Sequence, residues 1–265
     1  MQNLTSKYNS LVEEYKQNVV NKFDIEDFRQ YNEILFSYHS CGIEGNSFSI
    51  NDTRALKEQG LGMIPHGKSL FEAFEILDHF LAYEYLFSQI NEPLSENLLK
   101  ETHKILIQHT LPYRVPNAVP GEYTDTDMAA GDTLFGDHEK LMAQVPKLFE
   151  TTQELLEKDD IHPMILAAKF HCFFEYLHPF RDGNGRIGRL FANFILVKKN
   201  QPIVIIEREK KDEYITALKY YKKENSTELI ETFFLETAIR RMENEIFEKK
   251  NLTKNFIEGF LKKNN

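Results

Sequence analysis

Tryptophan is missing from the 265 residues, and cysteine nearly so. The two cysteines, Cys41 and Cys172, have no close spacing, which argues for reduced thiols and a cytoplasmic location rather than a disulfide scaffold. No apolar run approaches the length of a membrane span, and the N-terminus lacks a signal-peptide core, so no membrane association is expected. A basic excess is missing as well. Lys+Arg 32 against Asp+Glu 41 leaves a net charge of −9, which argues against a sequence-independent binder of nucleic acid. Repeats and low-complexity tracts are absent. What the chain has instead is 21 Phe and 12 Tyr, enough large side chains to fill one buried core without tryptophan.

Hydrophobic periodicity is helical almost throughout. Leu4, Tyr8, Leu11, Tyr15 and Val19 mark one amphipathic helix over 4–22, and Asp24 is placed to cap a second one running to Cys41. A short helix follows Asp52. Ser69 with Glu72 reads as a capping box, and Pro93 and Ser95 open a further helix. Helices are then expected over 138–156, from Pro163 to Leu177, from Arg186 to Val197, over 210–222 and over 227–247, with 202–206 extended. Residues 248–265 keep Leu252, Phe256, Phe260 and Leu261, which suggests a docked tail helix. Between Leu111 and Gly136 the character changes, and two short arms about a Gly-containing turn read as a β-hairpin. The fold class is therefore all-α, a bundle of roughly eight or more helices with one small hairpin.

The chemistry concentrates in His178-Pro179-Phe180-Arg181-Asp182-Gly183-Asn184-Gly185-Arg186-Ile187-Gly188-Arg189. Pro179 cannot extend the preceding helix, and His178 before it is pushed out of helical geometry. Gly183 and Gly185 permit close backbone approach and positive φ. The stretch is thus a loop feeding a helix N-terminus, where backbone amides and the helix dipole favour anions. Arg186 and Arg189 share roughly one face of that helix, and their forks match phosphate oxygens. Asp182 would sit badly beside phosphate without a divalent cation between them. His178 is the side chain here suited to proton abstraction near neutrality.

The stretch resembles the signature of the Fic (Fido) family, His-Pro-Phe-x-Asp/Glu-Gly-Asn-Gly-Arg-x-x-Arg, at every fixed position. The resemblance implies a Fic-fold helical bundle with a β-hairpin flap, and transfer of AMP from ATP to a Ser, Thr or Tyr hydroxyl of a protein. It implies His178 as base, Asp182 on Mg²⁺, and Arg181, Gly183, Asn184, Gly185, Arg186 and Arg189 on the nucleotide. Phe180 is more simply a core anchor.

Upstream, Ser40-x-x-x-Glu44-Gly45 resembles the inhibitory motif of self-restraining Fic proteins. There the glutamate reaches the last arginine of the signature, which is Arg189 here, and misaligns ATP for in-line attack. The same string also suits a helix C-terminus capped by Gly45. The resemblance further implies a flap that aligns the target by strand addition near Tyr123 and Thr124. The family often carries arginine where Thr124 stands. Tyr214 and Tyr221, on the helix over 210–222, would flank the adenine, and Lys222 stands where the family often has asparagine.

Other titratable groups call for no chemistry. His79, His103 and His109 read as packed or hydrogen-bonded residues, since nothing at ligand spacing joins them. His171 and Glu175 are expected to bond one another, not a metal. The organisation expected is N-terminal helices over 1–94 containing the 40–45 motif, a catalytic core over 95–237 and a helical tail over 238–265, all in one unit. The reading is a self-inhibited protein adenylyltransferase using ATP and Mg²⁺. Its target is a protein hydroxyl, the chain itself included, and a homodimer is among the assemblies allowed. Two alternatives stay open: removal of AMP with Glu44 orienting a water, and a nucleotide-binding interaction module with negligible turnover.

Overall fold

The computed structural model describes residues 1–130 and 133–251. Four helices lead in: α1 (Gln2–Asn18), α2 (Ile25–Ile43), α3 (Ile50–Gln59) and α4 (Leu70–Ser88). The chain continues through α5 (Glu96–Ile107) and the single turn α6 (Leu111–Arg114) to the antiparallel pair β1 (Ala129–Ala130) and β2 (Thr133–Leu134). Then come α7 (Leu141–Lys158), α8 (Pro163–Leu177), α9 (Asn184–Lys198), α10 (Lys211–Glu224) and α11 (Glu228–Asn251). Residues 252–265, where the docked tail helix was expected, lie outside the described residues.

Local chemistry sets the starts of these helices. The Asp24 carboxylate accepts from the amides of Glu26 (2.9 Å) and Asp27 (3.3 Å), opening α2. Ser49 with Asp52 and Ser69 with Glu72 form reciprocal capping boxes on α3 and α4. Ser95 Oγ accepts from Leu98 N at 3.2 Å to open α5. Pro163 occupies the first turn of α8, where its missing N–H costs nothing.

The centre of the bundle is α8 laid against α9, with α7, α10 and α11 packed on α8. Twelve of the fifteen residues of α9 are buried. Phe149 of α7 meets Phe170 of α8 and Phe191 of α9 edge-on, with centroids 5.2 and 5.4 Å apart. Fully burying each such ring contributes roughly 1.5–3 kcal/mol. The main core runs without a break from Tyr8 on α1 to Ile246 on α11, so the N-terminal helices share it. A smaller cluster of Ile34, Cys41, Phe48, Leu56, Ile76 and Phe80 ties α2 to α3 and α4.

Several details depart from the sequence reading. Residues 138–140 form a 3₁₀ turn, and α7 starts at Leu141. Each strand of the hairpin is two residues long, and Gly131 and Asp132 at its turn lie outside the described residues. Residues 202–206 are extended with no ladder. The Asn193 side chain substitutes for a neighbouring strand, bonding both N (2.8 Å) and O (2.9 Å) of Val204. Among the described residues no helix is long and apolar enough to cross a membrane.

Candidate active site

The loop between α8 and α9 is shaped by its own backbone. His178 ends α8 in the left-handed region (φ 48°, ψ 57°), its amide still bonded to Phe174 O at 2.9 Å. Pro179 follows and forbids another helical turn. Phe180 is fully buried and stacks on His103 at 3.6 Å. The Asn184 side chain then closes the loop on itself. Its Oδ1 accepts from Phe180 N (2.9 Å) and its Nδ2 donates to Phe180 O (2.7 Å). Gly183 turns the chain into α9 at φ 81°. A Cβ there would lie 3.0 Å from Ile107 Cγ2, so both conformation and space require glycine.

Arg189 is enclosed by polar partners. Its Nη2 donates to Glu44 Oε1 and to the Ser40 carbonyl, each at 2.8 Å, and its Nε donates to Ser40 Oγ at 3.1 Å. Nη1 reaches the Tyr214 hydroxyl at 3.5 Å. Glu44 caps the end of α2, and Gly45 leaves it at φ 102°. The Glu44 stem is 35% exposed, while its carboxylate is turned in onto the first turn of α9. It lies so close over Gly185 that a Cβ at that position would overlap Oε1. Burial pushes the Glu44 carboxyl up. The charge and hydrogen bond of Arg189, with Arg186 and Lys211 beyond, outweigh burial and hold it below the ordinary glutamate range. Ser40 and Glu44 are thus brought to Gly185 and Arg189, while Gly45 only turns the chain out of α2.

Arg186 is 1% exposed and sits among carboxylates, 3.3 Å from Asp182 Oδ1 and 3.6 Å from Glu75 Oε1. Among the described residues its Nε and Nη1 have no hydrogen-bond partner. Buried donors left this way are costly unless a ligand completes them. Asp182 accepts from the Gly183 amide at 2.6 Å and from Arg114 Nη1 at 3.0 Å. Burial raises its carboxyl, but Arg186 and Arg114 together bring it below its usual range.

His178 stands beside this cradle. Phe135, just after β2, stacks on its ring at 3.7 Å and 12°. Gly136 N anchors the flap to Tyr176 O at 2.8 Å. His178 Nδ1 is buried 3.8 Å from Glu175 Oε2, and among the described residues no hydrogen bond engages Nε2. Burial lowers the ring's pKa to about 4, against the opposing pull of Glu44, so the imidazole is neutral near pH 7 and able to accept a proton. Glu175 is driven the other way by burial, to about 8. The expected His171–Glu175 bond is not made. His171 Nε2 shares its hydrogen bond with the Tyr214 hydroxyl (2.6 Å), and Glu175 Oε1 has no partner. The two groups instead both face Gly188, 2.8 and 2.9 Å from where a Cβ would be.

A cavity of about 360 Å³ opens next to these groups, walled by the flap, α8 and α10. Tyr221 lines it, meeting Phe173 and Tyr176 edge-on. Five residues expected at the site are placed differently. Arg181 turns out to Asp125 on the surface, because that carboxylate is the partner within its reach. The Asn184 side chain is consumed in closing the loop, leaving its backbone to face a ligand. Tyr214 is 1% exposed and supports Arg189 from beneath, so only part of its ring reaches the cavity wall. Tyr123 and Thr124 precede the hairpin and brace the loop: Tyr123 OH donates to Glu96 (3.0 Å) and Thr124 N to Pro179 O (2.8 Å). Sequence reasoning missed Arg114, Glu75 and Phe135. Phe135 adjoins the flap and could have been suspected, but no spacing pattern links Arg114 or Glu75 to the loop.

Comparisons with known proteins bear on the family and the fold. Residues 93–196 match the model of the Fic/DOC family. A "Protein adenylyltransferase Fic" from Drosophila grimshawi is 33% identical over 187 residues, 69% of this chain and 36% of that protein. One of the same name from Nematostella vectensis is 34% identical over 182 residues, 67% of this chain and 40% of that protein. The chain thus spans little more than a third of these relatives. Among solved structures, a Fic-domain-containing signaling protein from Bacteroides thetaiotaomicron superposes with a TM-score of 0.78 at 23% identity, covering 95% of this chain and 97% of that one. Fic-1 from C. elegans superposes with a TM-score of 0.75 at 23% identity, covering 93% and 73%. The chain belongs to the Fic/DOC family through a Fic domain that lies within residues 93–196.

Proposed function

We propose that this protein transfers AMP from ATP to a hydroxyl side chain of a protein, and that Glu44 restrains the reaction. The observation that carries the reading is the Glu44 carboxylate, an internal anion seated on Gly185 and Arg189 at the start of α9. A site that holds a carboxylate between backbone and guanidinium has the chemistry to hold a phosphate. The unsatisfied donors of Arg186 add a second anion contact three residues away. The names of the relatives supply the reaction class.

In this mechanism the triphosphate lies along the turn from Gly183 to Gly185, facing the amides of Asn184 and Gly185, with Arg186 and Arg189 on its charged oxygens. The adenine enters the cavity beside Tyr221. Neutral His178 takes the proton of the target hydroxyl on Nε2. The hydroxyl oxygen bonds to the α-phosphorus, and the bond from that phosphorus to the bridging oxygen breaks, releasing pyrophosphate. The two-residue strands of the flap offer an edge for the target segment. Asp182 suits Mg²⁺, a hard carboxylate at the mouth of an anion cradle, and the ion would neutralise polyphosphate charge when bound. While Glu44 occupies Arg189 the terminal phosphate cannot, and the α-phosphate is held out of line for attack. Among acceptors the chain's own hydroxyl groups are included, and a cytoplasmic setting fits the composition.

The test compares Glu44→Gly with Glu44→Gly/His178→Ala, using ATP labelled on the α-phosphate. Glu44→Gly should raise incorporation into protein well above the unaltered chain, and the added His178 change should abolish it. Equal incorporation in the two variants would overturn the reading.

A further inference from the structure

Both oxygens of Asp182 are already engaged by positive or donor groups. Oδ1 accepts from the Gly183 amide at 2.6 Å and lies 3.3 Å from Arg186 Nη2. Oδ2 accepts from Arg114 Nη1 at 3.0 Å. Arg114 comes from α6, 68 residues upstream, and is no part of the loop signature. Its Nη2 donates to Glu75 Oε1 at 2.5 Å, and its guanidinium carbon lies 4.7 Å from the centroid of Phe71. The side chain therefore bridges two carboxylates against an aromatic face.

The charges in this cluster balance. Glu75 and Asp182 are met by Arg114 and Arg186, with no metal required for neutrality. A divalent ion at Asp182 adds two positive charges to a carboxylate that two guanidinium groups already share, and like charges at such range repel. The four members differ in freedom to yield. Arg186 and Glu75 are 1% and 4% exposed and are fixed by the packing. Arg114 is 36% exposed, on a one-turn helix at the surface, and holds a second carboxylate it can keep.

We propose that Arg114 is a resident counter-cation that competes with the divalent ion for Asp182, staying on Glu75 when the ion takes its place. The protein would then keep its metal affinity low until a triphosphate supplies further negative charge. The role given to the ion rests on the nucleotidyl-transfer reading, but the competition itself is measurable without turnover.

The experiment titrates Mn²⁺ by electron paramagnetic resonance into Glu44→Gly protein carrying Arg, Gln or Lys at position 114. It is run with and without a non-hydrolysable ATP analogue. Arg114→Gln should bind Mn²⁺ roughly fivefold more tightly, the scale of one part-exposed charge pair. Arg114→Lys keeps the charge as a single point and loses the fork that spans both carboxylates, so it should fall between. Affinity for the analogue in EDTA should stay unchanged across the three. Equal Mn²⁺ affinity throughout, or weaker binding in Arg114→Gln, overturns the proposal. Thermal unfolding in EDTA establishes that each variant is folded; should Arg114→Gln fail, the Arg-to-Lys comparison decides. Should the analogue fail to bind even in EDTA, the nucleotidyl-transfer reading falls, and the titration without it still ranks the three proteins.

Discussion

Arg186 and Arg189 stand one turn apart on α9, both buried, and their surroundings could hardly differ more. Arg189 is satisfied on every side by Ser40, Glu44 and Tyr214. Arg186 lies between carboxylates at longer range, with two donor nitrogens unpartnered. Both have the same side chain and the same helix. What separates them is that α2 brings a carboxylate to 2.8 Å from one, while the carboxylates beside the other, Asp182 and Glu75, stay at 3.3 and 3.6 Å. Glu44 fills the Arg189 side from within the chain, and on the Arg186 side Nε and Nη1 have no partner among the described residues.

Substitutions can break that contrast. The largest effect is expected from Arg186→Met in the Glu44→Gly background, where ATP affinity should fall by about one to two orders of magnitude, the scale of charge-assisted hydrogen bonds. Titration calorimetry reads it directly. Next comes the coupling of Glu44 to each arginine. Glu44→Gly should tighten ATP binding in the unaltered chain and equally in Arg186→Met. It should change nothing in Arg189→Met, where Glu44 has already lost its anchor. Equal responses in all three would remove the distinction between the two halves.

A smaller effect sharpens the comparison. Ser40→Ala deletes one neutral acceptor from Arg189, worth about 1 kcal/mol, so ATP affinity should rise by about fivefold as Glu44 loosens. An unchanged affinity would mean that the Ser40 carbonyl and Glu44 alone fix the guanidinium. A separate effect concerns stability and pH. Burial raises Glu175 to about 8, so the folded protein binds a proton there that the unfolded chain releases near the ordinary glutamate range. That contribution is fully present below the unfolded value and is lost as pH rises through about 8. The melting temperature of Glu175→Gln relative to the unaltered chain should therefore increase across that window, and a flat difference would refute the shift.

The loop was legible in the sequence because its residues are consecutive. A proline fixes where α8 ends, glycines fix where the chain can turn, and arginines one turn apart share a face whatever lies around them. Ser40 and Glu44 could be paired with Arg189 only through the family likeness, since a helix end that finishes in Glu-Gly also occurs without a partner. The family likeness pointed to Tyr214 on α10 but carried nothing about its depth, so a residue buried beneath Arg189 looked like one beside the base. Arg181 drew attention by adjacency to the loop and turned away to Asp125. Arg114 had no signal at all, because its partners are on α4 and in the loop before α9, far away along the chain. Strands of two residues each are too short to show alternation, which left the flap's limits to the coordinates.

The closure of the loop by Asn184 has a thermodynamic consequence. With Phe180 bonded at both N and O, the turn lost its conformational freedom when the chain folded. A phosphate chain arriving there would give up its own motion and would have to displace Glu44 from Arg189. Association should consequently proceed without the slow ordering phase that a floppy glycine turn would impose, and its rate should be governed by how often the end of α2 lets go.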